Sequence, residues 1–333
     1  MRLNAFSMIL VWVMGLIVIA EKSSLAQQKV PTYVIKFGHL QPLTDPWHLG
    51  ALKFKEVVEK KSEGRLKVEI YPASQLGSER EQMEGVKIGT QEITTNSPGM
   101  LATIFPEVGV FDLPYLFRNQ EHLHKVLEGP IGRGVMNRMQ KGVGMFPLAL
   151  WDRGPRHLTS KKPVYTPADV KGLKIRVPEI RIYLAIWRAL GAKPTPMAFA
   201  ELYTGLATGT VDAQENPLEV IWSNKFYEVQ SHLVLTGHMR AVLWVMMNDR
   251  FFRNLPPDLQ KVVTEAAKES EPYTNDIVTK AQEEILANLK TKGMKVIQPD
   301  LNAFANATKD VYVEFVGPKS FSKELYWEIK NYK

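Results

Sequence analysis

Residues 172–191, GLKIRVPEIRIYLAIWRALG, carry the pattern that decides the fold. Leu173 to Val177 reads as a strand, and Ile180 to Leu190 as a helix. The same alternation continues downstream. Phe199 to Thr208 reads as a further helix ended by Gly209, and Val211 to Gln214 as the next strand. Upstream, Met145 to Trp151 has the composition of a buried strand despite Pro147, and Thr166-Pro167-Ala168-Asp169 opens a short helix. Nearer the N-terminus, Tyr33 to Phe37 is a predicted strand. Asp45-Pro46 then starts a helix, an N-cap followed by proline at the first helical position, which runs to about Ser62 with Gly64 ending it. Leu66 to Tyr71 alternates apolar and polar residues as a strand does, and Ser78-Glu79-Arg80-Glu81 is a capping box for a helix that Gly89 closes. Ile93 to Asn96 follows as a strand. Strands separated by helices predict α/β layers with largely parallel sheets.

Pro257 to Lys292 differs from the rest. It reads as helix with no glycine until Gly293, longer than an ordinary globular helix, and Pro272 either kinks it or divides it into two.

The chain has 333 residues, 45% of them apolar, which is enough for two domains with sizeable cores. It contains no cysteine, so disulfides, thiolate metal sites and a cysteine nucleophile are excluded. The net charge of +7 is spread out rather than clustered: Lys60-Lys61, for example, is bracketed by Glu56, Glu59 and Glu63. Such mixing suits exposed helix faces and argues against a nucleic-acid partner, while the positive balance fits an anionic ligand. Arg2, the apolar run Met8 to Ala20 and the small-x-small site Ser24-Leu25-Ala26 together predict a signal peptide over residues 1–26, cleaved after Ala26.

Catalytic signatures are missing. There is no G-x-S-x-G elbow, no H-E-x-x-H and no P-loop, and Gly129, Gly132 and Gly134 do not have dinucleotide-fingerprint spacing. His122 and His124, two apart on a predicted helix, point to different faces and read as structural or surface residues rather than metal ligands. No catalytic residue, metal or cofactor is expected. An α/β chain of this kind suits a cleft that holds a small ligand.

Six blocks then become specific. They are Tyr71-Pro72-Ala73-Ser74-Gln75-Leu76-Gly77, Phe111-Asp112-Leu113-Pro114-Tyr115-Leu116-Phe117, Gly172 to Pro178, Pro194-Thr195-Pro196-Met197-Ala198-Phe199, Val211-Asp212-Ala213-Gln214-Glu215-Asn216-Pro217 and Lys225-Phe226-Tyr227-Glu228-Val229-Gln230. In this order they resemble the solute-binding proteins of TRAP transporters over nearly the whole mature chain. The resemblance implies a two-domain periplasmic-binding-protein-like α/β fold with a long helix spanning both domains. Approximate boundaries are 27–153 with 242–281 for domain 1, and 154–241 with 282–333 for domain 2. It also implies a periplasmic receptor that closes on an organic acid and passes it to sodium-coupled membrane subunits; a monomer is the default expectation.

The resemblance points to Arg176 as the arginine that binds the ligand carboxylate, a task suited to a planar, always charged, two-pronged donor. Arg156 matches a second arginine facing the cleft, with a salt bridge inside domain 2 as its other reading. Asn216 matches an amide that can donate and accept, with a turn before Pro217 as the alternative. Phe199 matches a ring that packs on the ligand, or else belongs to the core. In domain 1 the candidates are Glu79, Asn96 and Ser97, with His39 and Gln41 on the loop after the first strand. Met100 and Leu40 are apolar where sialic-acid-binding members carry an arginine and an asparagine, which argues against sialic acid. If Glu79 faces the cleft rather than serving only its helix N-terminus, it repels a second carboxylate and accepts from hydroxyls. That favours a uronate or aldonate over a C4-dicarboxylate. Trp151 and Trp244 are candidates for stacking on a sugar ring or for the core. An exported enzyme acting on a sugar acid is the catalytic alternative.

Overall fold

The computed structural model describes residues 32–333. The expected signal peptide, residues 1–26, lies outside the described residues. Nine strands form one sheet: β1 Tyr33–Gly38, β2 Leu66–Tyr71, β3 Ile93–Asn96, β4 Met145–Ser160, β5 Lys174–Val177, β6 Lys193–Pro196, β7 Ala213–Pro217, β8 His232–Asn248 and β9 Lys295–Ile297. Their order is β2-β1-β3-β8-β4-β7-β5-β6, with β9 added to β8. The outer pairs β1–β2, β1–β3, β5–β6, β5–β7 and β8–β9 are parallel. In the centre, β4 and β8 are antiparallel to each other, and each is antiparallel to the neighbour on its other side. The sheet is therefore mixed where a largely parallel one was expected, because two long strands cross it from one half to the other.

β4 is 16 residues long, far beyond the expected Met145–Trp151. It survives Pro147 by breaking register: irregularities fall between Pro147 and Ala149, Asp152 and Gly154, and Arg156 and Leu158. A bulge leaves backbone groups outside the ladder, and they must find other partners. Here the long helix supplies some of them. The Glu271 carboxylate accepts from the Leu150 N–H at 2.8 Å, and Asn275 Oδ1 accepts from the Asp152 N–H at 2.8 Å.

That helix, Pro257–Thr291, is one continuous element of 35 residues with Pro272 inside it, so the two-helix alternative does not hold. Its bonds to β4 sit on either side of Pro272, where tertiary contacts offset the bond that proline cannot donate.

The expected helix starts are present. Asp45 accepts from the Trp47 N–H, and the Ser78–Glu81 box closes with both bonds made. The expected Phe199–Thr208 helix divides into a 3-10 turn at Phe199–Glu201 and a helix at Leu202–Thr208. The strand expected at Val211–Gln214 lies two residues later, so Asn216 is a strand residue and not part of a turn.

The hydrophobic cores follow the faces of the sheet. Along β8, Trp244 and Met246 join the cluster with Met83, Leu123, Ile186 and Phe304, whereas Leu243, Val245 and Met247 join the one with Phe54, Leu206, Val263 and Leu289. This is the period-two alternation of a strand buried on both faces. Trp151 stacks on Phe37 at 5.9 Å, and Trp244 packs edge-on to Phe111 at 5.8 Å. Both are core residues.

Candidate functional site

A cavity opens where the two halves of the sheet meet. Its lining includes Arg153 and Arg156 of β4, Arg176 of β5, Asn216 of β7, Met197, Phe199 and Tyr183 on one side. On the other side are Leu40, Gln41, Trp47, Glu79, Thr95, Ser97 and Met100.

Arg176 is 3% exposed and reaches the cavity from the strand predicted at the outset. Its Nε and Nη2 donate to the Met197 carbonyl at 3.0 and 2.8 Å, and its guanidinium lies 5.8 Å from the Phe199 ring centre. These bonds fix the side chain without neutralising it, and Arg176 forms no ion pair among the described residues. Burial lowers its pKa to about 10; the Glu215 carboxylate opposes that shift and the Arg156 charge adds to it. A buried cation without a counter-charge is a favourable place for an anion.

Arg156 is in the opposite condition. Its Nε donates to Glu215 Oε2 at 2.5 Å, and its Nη2 donates to Glu215 Oε1, the Glu215 carbonyl and Asn216 Oδ1 at 2.8, 2.7 and 3.1 Å. Glu215 also meets His238 Nε2 at 3.0 Å. Burial alone would raise the Glu215 carboxyl, but the Arg156 charge and the hydrogen bonds from His238 and Arg156 hold it at about 2. The salt bridge foreseen as the other reading of Arg156 is therefore present, although the residue also lines the cavity. Asn216 is held beside Arg156, its Nδ2 donating to Gln214 Oε1 at 2.6 Å while Oδ1 accepts from Arg156.

On the facing side, Ser78 and Glu81 cap the helix, which leaves Glu79 to other partners. Glu79 Oε1 accepts from the Ser97 N–H at 2.8 Å and from Ser97 Oγ at 2.9 Å. Ser97 in turn caps the turn Pro98–Leu101 by accepting from the Met100 N–H at 3.3 Å. Both residues line the cavity. Asn96 does not. Thr95 of β3 and Ser97 just after it line the cavity, whereas Asn96 between them is fully buried, with neither side-chain amide atom hydrogen-bonded. His39 is likewise off the cavity. Its ring meets His48 Nδ1 at 3.1 Å and accepts from the Gln41 N–H at 3.3 Å, so it orders the loop that presents Leu40 and Gln41. Burial, with His48 beside it, lowers its pKa to about 3.

Arg153, Trp47 and Tyr183 line the site without having been singled out in the sequence. Positions 153 and 156 would face opposite ways in a regular strand. The register shift at Asp152/Gly154, where Gly154 has φ 66°, brings both to one cavity. WDRGPR, with a glycine between two arginines, was the available signal.

His122 and His124 do diverge. His122 Nε2 donates to the Ile329 carbonyl at 3.0 Å, whereas His124 lies between Glu128 and Asp152 at 2.8 and 3.1 Å.

Hydrogen bonds also join distant parts of the chain. Ser223 Oγ donates to Asp45 Oδ2 at 2.8 Å, Asn224 Nδ2 to Gln41 Oε1 at 2.9 Å, and the Tyr115 N–H to the His238 carbonyl at 2.9 Å. Gly99 has no room for a side chain: a Cβ there would stand 2.7 Å from Ile180 Cγ2 and 2.8 Å from Asp112 Oδ2. No helix among the described residues is long and apolar enough to cross a membrane.

Residues 37–318 match the model of the bacterial extracellular solute-binding proteins, family 7. The 2,3-diketo-L-gulonate-binding periplasmic protein YiaO of Escherichia coli is 38% identical over 300 residues, covering 88% of this chain and 90% of that protein. A TRAP periplasmic solute-binding protein of Roseobacter denitrificans, solved with bound L-galactonate, superposes with a TM-score of 0.85 at 34% identity, over 90% of this chain and 98% of that one. A Sulfurospirillum deleyianum counterpart with bound succinate gives 0.86 at 32% identity, over 91% and 100%. With its two-part α/β fold, its long helix and its arginine-lined cavity, the chain belongs to the family 7 extracellular solute-binding proteins, the extracytoplasmic receptors of TRAP transporters.

Proposed function

We propose that the protein is a periplasmic receptor for a sugar acid, a uronate or an aldonate, which it delivers as a monomer to sodium-coupled TRAP membrane subunits. One observation carries this reading: the buried, unpaired Arg176 guanidinium faces a cavity whose opposite side presents the Glu79 carboxylate. Arg176 supplies two parallel donors for the ligand carboxylate, Asn216 and Arg156 back it, and Phe199 covers an apolar face. Glu79 accepts from hydroxyls and disfavours a second carboxylate. The relatives that bind diketogulonate and L-galactonate support the same class.

The site is a receptor's rather than an enzyme's in this reading, because its buried acid, Glu215, is committed to Arg156. We place the hinge where β4 and β8 pass between the halves, at the Gly154–Ala241 pair. This corresponds to domains of 27–153 with 242–281 and 154–241 with 282–333. Ligand contacts from both halves then favour the closed state.

A second reading, a C4-dicarboxylate receptor, has one observation in its favour: a second unpaired guanidinium, Arg153, in the same cavity. A thermal-shift series decides between them. A ligand that binds only the folded state raises Tm by mass action. Galactonate and glucuronate are expected to raise Tm where succinate does not. A rise confined to succinate establishes the second reading, and no rise with any acid, before or after unfolding and refolding to remove a retained ligand, rejects both.

A further inference from the structure

We propose that Arg153 is a second ligand-reading residue of the cavity, its guanidinium taking a neutral oxygen, hydroxyl or keto, at the end of the ligand far from the carboxylate. The inference rests on the sugar-acid reading above and concerns a residue to which that reading gives no role.

Arg153 is 8% exposed and lines the cavity, yet its Nε has no hydrogen-bond partner. A buried donor left unmade costs free energy, and native structures tolerate few of them. Its neighbour Arg156 shows what a structural arginine in this strand looks like, with every bond directed to Glu215 and Asn216. Arg153 has no ion pair among the described residues. What it has is a platform: its guanidinium lies over the Trp47 ring at 4.7 Å, and the Trp47 indole N–H donates to the Asp152 carbonyl at 3.3 Å. Stacking holds the plane of the cation while leaving its edge free.

Strand register sets where that edge lies. Arg176 pairs with Gln214, and Gln214 pairs with Thr159 of β4. Arg153 lies six residues before Thr159 on a strand that is bulged at Asp152/Gly154 and Arg156/Leu158 and is separated from β5 by β7. The two unpaired guanidiniums thus come to the cavity from strands that are not neighbours, with Arg156 between Arg153 and Thr159 along β4. A ligand short enough to reach only Arg176 leaves Arg153 unpartnered, whereas a six-carbon chain has oxygens along its whole length. Glu79 lies close enough to act on both guanidiniums, which makes the Arg153 end a poor place for a second carboxylate and a good one for a neutral acceptor.

The test is calorimetric titration of the full chain and of R153M with galactonate, glucuronate and glycerate. Glycerate keeps the carboxylate and the 2-hydroxyl but has no distal oxygens, and it is titrated by competition against galactonate. R153M is expected to weaken both six-carbon acids about 30-fold and glycerate less than about threefold, as befits one lost hydrogen bond from a charged donor. R176M is expected to weaken all three. Equal losses for all three acids in R153M, or no loss for any, overturns the proposal. R153K, which keeps the charge and the packing, gives the same comparison should R153M fail to fold. A wild-type chain that binds no sugar acid removes the parent reading and this one together. Wild-type binding that R153M leaves unchanged removes this one alone.

Discussion

The side of the cavity that carries Arg156, Arg176 and Asn216 is made of ladder-paired strand. The facing side, with Leu40, Gln41, Glu79 and Ser97, is made of the ends of elements: a loop after β1, the first turn of one helix and the cap of another. On the strand side the polar groups are engaged with one another, Arg156 to Glu215, Asn216 to Gln214, Arg176 to a backbone carbonyl. On the facing side they are tied one by one to other elements, Glu79 to Ser97 and Gln41 to Asn224. A rigid network suits a part of the ligand that does not vary, the carboxylate. Element ends can change residue by residue without disturbing a ladder, and they suit the part that does vary.

The contrast can be broken most directly at the ion pair. Replacing Glu215 with Ala leaves the fully buried Arg156 without its counter-charge. A loss of about 3–5 kcal/mol is expected, read as a fall in Tm on the order of 10 °C. An unchanged Tm would show that the strand side is not held by this pair.

Next in size is Arg176→Met. It is expected to cost about 2–5 kcal/mol of ligand affinity by calorimetry, with Tm nearly unmoved in the absence of ligand, since the side chain has no ion pair to lose. Retained affinity would refute its role as the carboxylate anchor.

Glu79→Gln acts on the other side. It is expected to leave glucuronate binding within about tenfold while improving succinate, narrowing the preference between them, because the repelling charge is gone. An unchanged ratio of the two constants would show that Glu79 serves only Ser97.

The smallest expected effect is in the pH dependence of stability. Burial raises Glu219 to about 8, and the Asp152 hydrogen bond raises His124 to about 9. Groups whose folded pKa is raised stabilise at low pH and lose that contribution as pH climbs through the folded value. His39 and His157, both lowered to about 3 mainly by burial, act the other way: their contribution is present above about 6.5 and is lost below it. Tm is therefore expected to rise from pH 9 to about 7 and to level off near 6.5, where the two histidines begin to oppose it; Asp45 and Asp112, raised to about 6 by burial, offset them at lower pH. Glu219→Gln is expected to remove about 1 kcal/mol of the alkaline slope. A slope that the substitution leaves intact would assign it to His124 or to other groups.

Much of this architecture is legible in the sequence where the signal is local. The caps at Asp45 and Ser78, the terminating Gly89 and Gly209, and the strand of Arg176 all stand where short-range chemistry puts them. What is not legible depends on long-range pairing. β4 extends past Trp151 because β7, β8 and the long helix take up its backbone groups. Pro272 remains inside a helix because β4 braces it. At the site, the motif blocks led to Arg176, Arg156, Asn216 and Phe199, all of which line the cavity. Asn96 lies one step of strand alternation away from the cavity-lining Thr95 and Ser97, and Arg153 shares the cavity with Arg156 because a bulge reverses that alternation.

The crossing strands have a further consequence, for the order in which the chain becomes folded. β3, at residues 93–96, pairs with β1 on one side, but on its other side it is closed by residues 244–247 of β8. The N-terminal half of the sheet therefore cannot be completed until about 150 residues of later chain are present, and neither half is a contiguous piece that could be cut out and fold alone. Contacts this distant in sequence form slowly. A chain ordered in this way stays open while it is being made, and gains its two cores together when its last third arrives.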